Sequence, residues 1–292
     1  MIRLISILLL VSACSTTRFE RVTAPENDSF LVETTIRFDG KRLNDWAITQ
    51  GDLGQATKLC QTGEVEAGQE ILKSNLGTMR KDPSYWMVIG NCYWYERNSS
   101  KAEYFYRLAL GLGSANKKVK SALHNNIGLL YMQRQLYPEA KSELLKAEDS
   151  LTAKYNLAQI SLLMGDSRGA RSLLADLYRQ NRKDPDILAS LAVAHLLEGN
   201  NQVALQVLNE VPEVEDKRQD IAFYRAMGFY LSGNVEKAEE QLNKVDQADK
   251  SISRLSDMAK RLEQLVQDEV QRREAAAEAA KEAAEAKAAE QV

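Results

Sequence analysis

Three cysteines and two histidines are the residues of this chain with the most chemistry to offer. Neither His124 nor His195 stands at ligand spacing from a cysteine or carboxylate, so the pattern of a zinc site is missing. His195 reads as a core histidine. Gly111-Leu112-Gly113 falls between helical segments and not after a strand, which removes a dinucleotide-binding reading. No phosphate-binding loop, Gly-x-Ser-x-Gly elbow or Ser-His-Asp set is present. The Glu and Lys residues near the C-terminus pair at i,i+4 on a helix surface and are not placed for acid-base work. The expectation is a chain without catalysis, metal, cofactor or small-molecule substrate. A net charge of -3 gives no basic footprint for nucleic acid.

The cysteines are more informative. Leu4 to Val11 is a mostly apolar run behind Arg3, too short to span a bilayer and suited to a signal-peptide core. It ends in Val11-Ser12-Ala13-Cys14. This resembles a bacterial lipobox, which implies cleavage before Cys14 and acylation of its thiol. Residues 1–13 are then a signal peptide, and 14–48 a lipidated cysteine with a polar tether. Several acyl chains, at about 0.8 kcal/mol per buried CH₂, would hold the chain to a membrane without a spanning helix. Ser15 follows the cysteine. In enteric-type sorting an Asp there retains a lipoprotein in the inner membrane, so the resemblance implies the periplasmic leaflet of the outer membrane. That compartment is oxidising and permits a disulfide between the remaining pair, Cys60 and Cys92. Two buried thiols are the equal alternative.

The elements that position these residues follow from a repeat. In the segment 83–109, Trp86, Ile89, Gly90, Tyr93, Ala102, Tyr106 and Ala109 reproduce the pattern W-x2-LG-x2-Y-x8-A-x3-F-x2-A almost in full. A small residue recurs at Ala56, Gly90, Gly128, Ala158, Ala192 and Ala226. A second follows twelve residues later at Gly68, Ala102, Ala140, Ala170, Ala204 and Ala238. Four residues on comes a large one: Leu72, Tyr106, Leu144, Leu174, Leu208 and Leu242. Two antiparallel helices cross closely only where side chains are small, and the large residue fills the gap to the next hairpin. Gly63, Gly165, Gly199 and Gly233 mark the turn within a hairpin. Asp82-Pro83 and Asp184-Pro185 mark the start of the next. One spacing between anchors is four residues longer than the usual 34, and the insertion is expected in the loop near Gly111 to Ser114.

These residues resemble the tetratricopeptide repeat (TPR) family over roughly 49–250. The resemblance implies an all-α, right-handed superhelical solenoid of about six hairpins over 49–252, with atypical outer units. Leu255, Met258, Leu262, Leu265 and Val266 recur at helical spacing and predict a capping helix over 253–272. The Ala-, Glu- and Lys-rich stretch 273–292 is helical by propensity but has no apolar face, and predicts a charged helical tail.

In this family the first helix of each hairpin lines a concave groove that binds peptides. The matching positions here are Met87, Asn91, Trp94 and Tyr95, then Asn125, Leu129 and Met132, then Tyr155, Gln159, Leu162 and Leu163. Ala189, Val193, Leu196 and Leu197 follow, then Phe223, Met227 and Tyr230. The expected surface is apolar and asks for a cover. Its amides Asn91, Asn125 and Gln159 are suited to pair with a ligand backbone. The alternative is a superhelix that closes tightly, or a tail that folds in, so that these residues are core. TPR outer-membrane lipoproteins of this size look like the pilotins of type IV pili and the lipoprotein of the tight-adherence (Flp/Tad) pilus. The implied partner is a secretin or another pilus or secretion component. A scaffold or activator of a peptidoglycan enzyme is the competing reading.

Overall fold

The structure is a computed structural model that describes residues 51–147, 150–215, 217–246 and 253–289. The signal peptide, Cys14 and the tether lie outside the described residues.

Thirteen α-helices and no strand occur among the described residues. They form six antiparallel hairpins. The first is α1 (Gly51–Thr62) with α2 (Val65–Met79), and the second α3 (Pro83–Tyr95) with α4 (Ser99–Gly111). The third is α5 (Lys117–Gln133) with α6 (Tyr137–Lys146), and the fourth α7 (Leu151–Leu163) with α8 (Ser167–Gln180). The fifth is α9 (Pro185–Leu197) with α10 (Asn201–Asn209), and the sixth α11 (Gln219–Leu231) with α12 (Val235–Leu242). A single long helix, α13 (Ser253–Ala289), closes the chain. The hairpins stack as a right-handed superhelical solenoid. Each first helix packs against its own second helix, the second helix before it and the next first helix. The second helices make no comparable contact with one another among the described residues. The first helices therefore form the inner wall and the second helices the outer one.

The crossing points follow the small residues. All of the alanines of the two small columns are fully buried. A Cβ added to Gly90 would lie 2.5 Å from Tyr106 Cε1, and one added to Gly128 would lie 2.8 Å from Leu144 Cγ. Turns within hairpins share one conformation. The backbone enters the left-handed region at Gly63, Gly165, Gly199 and Gly233, with φ between 75° and 91°. The two remaining hairpins hold Arg97 (φ 59°) and Gln135 (φ 60°) at the same register, where an L side chain costs energy that glycine does not. The residue after the turn then starts the second helix in several units: Asn98, Asp166 and Asn234 accept from the amides of Lys101, Gly169 and Lys237.

One sequence expectation needs correction. The four-residue insertion does not simply lengthen the loop after Gly111. In α3, α7, α9 and α11 the helix begins seven residues before the small residue, whereas α5 begins eleven before Gly128. The insertion is therefore spent as one more turn at the start of α5. Asn116 caps that turn through the Val119 amide, so the added residues gain helix hydrogen bonds that a longer loop would not offer. The shorter following unit comes from α6, which has 10 residues against 13 in α4 and 14 in α8. The expected capping helix and charged helical tail are both present and run on from one another. They are one 37-residue helix, buried on one face through Leu255, Met258, Ala259, Leu262 and Val266, and exposed from Glu274 to Ala286.

Candidate functional site

The inner wall is the expected site, and its geometry departs from an open groove. Met87, Asn91, Asn125, Leu129, Met132, Gln159, Leu162, Ala189, Val193, Leu196, Phe223, Met227 and Tyr230 are all buried. Trp94, Tyr95, Tyr155, Leu163 and Leu197 stay partly exposed. Consecutive first helices press against one another, so positions expected to face a ligand face the next helix instead. At the C-terminal end Phe223, Met227 and Tyr230 share one apolar cluster with Leu255, Met258, Leu262 and Val266 of α13. Burial, reinforced by the charge of Glu269, pushes the Tyr230 hydroxyl up from its ordinary pKa.

The three amides are mostly used inside the wall. Tyr106 Oη donates to Asn91 Oδ1 at 2.6 Å, and Asn126 Nδ2 donates to the same oxygen at 3.0 Å. Asn125 Nδ2 donates to Asn126 Oδ1, and Asn156 Nδ2 to Asn125 Oδ1 at 2.8 Å. Farther on, Gln159 Nε2 donates to Ser190 Oγ at 2.8 Å, and the Tyr155 hydroxyl lies 3.1 Å from that oxygen. The result is a ladder of polar side chains linking units two to five through their inner helices. Buried amides must be paired to be tolerated, and pairing across units fixes the rotation of one hairpin on the next. Asn91 Nδ2 and Gln159 Oε1 find no hydrogen-bond partner among the described residues.

Two covalent or ionic fasteners add to the ladder. Cys60 of α1 and Cys92 of α3 are joined in a disulfide, with Cα atoms 5.2 Å apart. Both are fully buried between the first two units. Near the other end, Arg218 bridges units five and six. Its guanidinium lies 2.7 Å from Asp186 Oδ1 and 2.8 Å from Asp220 Oδ2. Burial alone would lower its pKa, but the hydrogen bond and charge of Asp220 and then the charge of Asp186 outweigh it and raise the pKa. In the third unit His124 Nδ1 lies 2.7 Å from Glu143 Oε2, and Lys146 Nζ donates to Glu143 Oε1 at 3.0 Å. Among the described residues no three His, Cys, Asp or Glu side chains gather as a metal would require, and no helix is long and apolar enough to cross a membrane.

Open recesses occur among the described residues, and two of them concern the wall. One, of about 470 Å³, lies between the start of α7, the end of α8 and the start of α9. Leu151, Tyr155, Leu177 and Ile187 give it apolar walls, and its only charged lining residues are Asp184 and Asp186. Leu151 is 50% exposed, unusual for a leucine on an inner helix. Of the residues expected in the groove, Tyr155 is the one that lines this cleft. The sequence reading missed its other walls, although a leucine in the first turn of an inner helix was a usable signal. The second recess, about 280 Å³, lies between α2, α3 and α4. The Phe105 ring there stacks between Trp86 at 5.7 Å and Tyr93 at 5.3 Å.

An inner wall of stacked first helices with small residues at the crossings is a helical-repeat solenoid, the architecture of tetratricopeptide-repeat proteins. The tetratricopeptide repeat profile matches residues 161–228. The human intraflagellar transport protein 88 homolog is 28% identical over 151 residues, half of this chain but only 17% of that protein's length. PilF of Pseudomonas aeruginosa superposes with a TM-score of 0.60 at 18% identity, covering 70% of this chain and 94% of PilF. PilW, described as a type IV pilus biogenesis factor, gives 0.58 at 18% identity, covering 72% of this chain and 98% of PilW. YrrB, a TPR protein described as having an unusual peptide-binding site, gives 0.50 at 21% identity over 65% of this chain and 97% of YrrB. At these identities the likeness is one of fold.

Proposed function

We propose that this chain is a lipid-anchored TPR adaptor that binds a protein partner and assists assembly of a pilus or secretion complex at the outer membrane, in the manner of a secretin pilotin. The observation that carries the reading is the six-hairpin solenoid, whose likeness to PilF and PilW extends over nearly the whole length of those chains. PilW's description as a type IV pilus biogenesis factor supports the same assignment for this chain. The anchor rests on Val11-Ser12-Ala13-Cys14, with Cys14 as the acyl acceptor. The buried Cys60–Cys92 disulfide suits export to an oxidising compartment, since cytosolic thiols are kept reduced.

The test is membrane fractionation and affinity purification of the full-length chain from detergent-solubilised envelopes, beside a Cys14→Ser control. Outer-membrane recovery that Cys14→Ser abolishes, together with co-purification of a secretin or pilus-machine subunit, is the expected result. Recovery of a peptidoglycan enzyme in its place would overturn the pilus assignment. A chain that stays in the cytosol with reduced Cys60 and Cys92 would overturn the anchor as well.

A further inference from the structure

We infer that the cleft between α7, α8 and α9 receives a lysine or arginine of the partner, flanked by apolar residues, on an extended peptide. This rests on the adaptor reading and adds the chemistry of the segment it binds. Three observations converge on it. The first is space: about 470 Å³ lies within the roughly 300–1,000 Å³ of built ligand sites. The second is the lining. Leu151, Tyr155, Leu177 and Ile187 offer apolar contact for a long aliphatic stem, while the only charged lining residues are two carboxylates, Asp184 and Asp186, the second already shared with Arg218. Lysine and arginine bury their stems on apolar surface and keep the charged head polar, which matches a cleft of that composition. The third is exposure. Leu151 stands half exposed beside the cleft on the inner wall, where the neighbouring units bury their apolar residues. A guanidinium is already accommodated next door, where Arg218 bridges Asp186 and Asp220. A second cation would extend that alternation of charge along the starts of α9 and α11.

The carboxylates also have structural work, and the test must separate the two. Asp184 caps α9 by accepting from the amides of Asp186 and Ile187. Asparagine caps a helix as well as aspartate does, so Asp184→Asn removes the charge and keeps the cap. Leu151→Lys places a like charge at an exposed position where the fold loses little.

The probe is a fluorescein-labelled hexapeptide of alternating Leu and Arg, titrated against the full-length chain by polarisation. Its Leu-Glu counterpart is the control. The expected result is saturable binding of the Leu-Arg peptide, with the Leu-Glu peptide at least about tenfold weaker. Asp184→Asn and Leu151→Lys should each weaken the Leu-Arg peptide about fivefold, with unchanged thermal melts. Equal binding of both peptides, or wild-type affinity in both variants, overturns the inference. A photo-crosslinking residue at Thr152 in cells then reads the natural segment. An adduct on a partner stretch that contains Lys or Arg supports the inference. An adduct on a stretch without them overturns it and leaves the adaptor reading standing. Absence of any co-purifying partner sinks the adaptor reading itself.

Discussion

Gly90→Ala and Gly77→Ala are the same change inside neighbouring helices, and the structure gives them opposite signs. Helix propensity favours alanine over glycine by about 1 kcal/mol at either site. At Gly77 an added Cβ meets nothing within 4 Å, so the gain should survive as roughly 0.5–1 kcal/mol of stabilisation. At Gly90 it would lie 2.5 and 2.6 Å from two carbons of the Tyr106 ring and 3.2 Å from the Ala102 carbonyl oxygen. Tyr106 is fully buried and cannot swing away. Overpacking of this kind costs about 1–3 kcal/mol. Shifting the ring also breaks the 2.6 Å bond from its hydroxyl to Asn91, about 1–3 kcal/mol more for a buried polar group left unpaired. After the propensity gain the net loss is roughly 1–5 kcal/mol, centred near 3. Four units that hold alanine at the small position hold leucine at the large one, and the unit with tyrosine holds glycine. Tyr106→Leu should therefore restore part of what Gly90→Ala loses. Urea denaturation followed by far-UV circular dichroism measures both signs. A Gly90→Ala chain as stable as the parent would show that ring contact does not set the crossing of α3 and α4.

Three further outcomes follow from the same geometry. Reduction of the Cys60–Cys92 bond, or replacement of both cysteines by alanine, should cost about 3–4 kcal/mol for a closed loop of 32 residues; a denaturant midpoint indifferent to reductant would exclude a role in stability. Arg97→Gly relieves a left-handed backbone conformation and should stabilise by about 0.5 kcal/mol, after the extra freedom glycine brings to the unfolded chain. Burial would raise the Glu143 carboxyl, but hydrogen bonds from His124 and Lys146 and then their charges hold it below its ordinary 4.5. A depressed carboxyl stabilises above its unfolded pKa, so this contribution is complete at neutral pH and fades as pH falls from about 4.5 through the lower folded value. A Glu143→Gln chain should show a flatter loss of stability across that acid range in urea midpoints taken at successive pH values.

The fastening of unit to unit was less legible than the repeat itself. Family positions place Asn91, Asn125 and Gln159 toward a ligand, yet each is hydrogen-bonded within the wall, to Asn126, to Asn126 and Asn156, and to Ser190. Whether such a side chain meets solvent or the next helix depends on how far one hairpin rotates on another. That rotation is the sum of many small packing choices at the junction, none of which carries a motif. The same holds for Cys60 and Cys92, whose pairing needed the actual separation of α1 and α3. The acidic cleft was hard to read for a related reason: its walls come from three consecutive helices, and only their packing angles leave a space between them.

By itself the sequence determined the all-α repeat, its six units, the turn positions and the closing amphipathic stripe. These are local or strictly periodic facts: a close helix crossing accepts only Gly or Ala, a left-handed turn favours Gly, and one face of α13 must be apolar to pack. The tertiary structure decided which inner-wall residues are surface and which are core, and it placed the extra turn of α5. It also decided that the cleft between α7, α8 and α9 pairs leucines and a tyrosine with two aspartates. Those properties depend on distances between units, and a distance between units is set by all the contacts at a junction together.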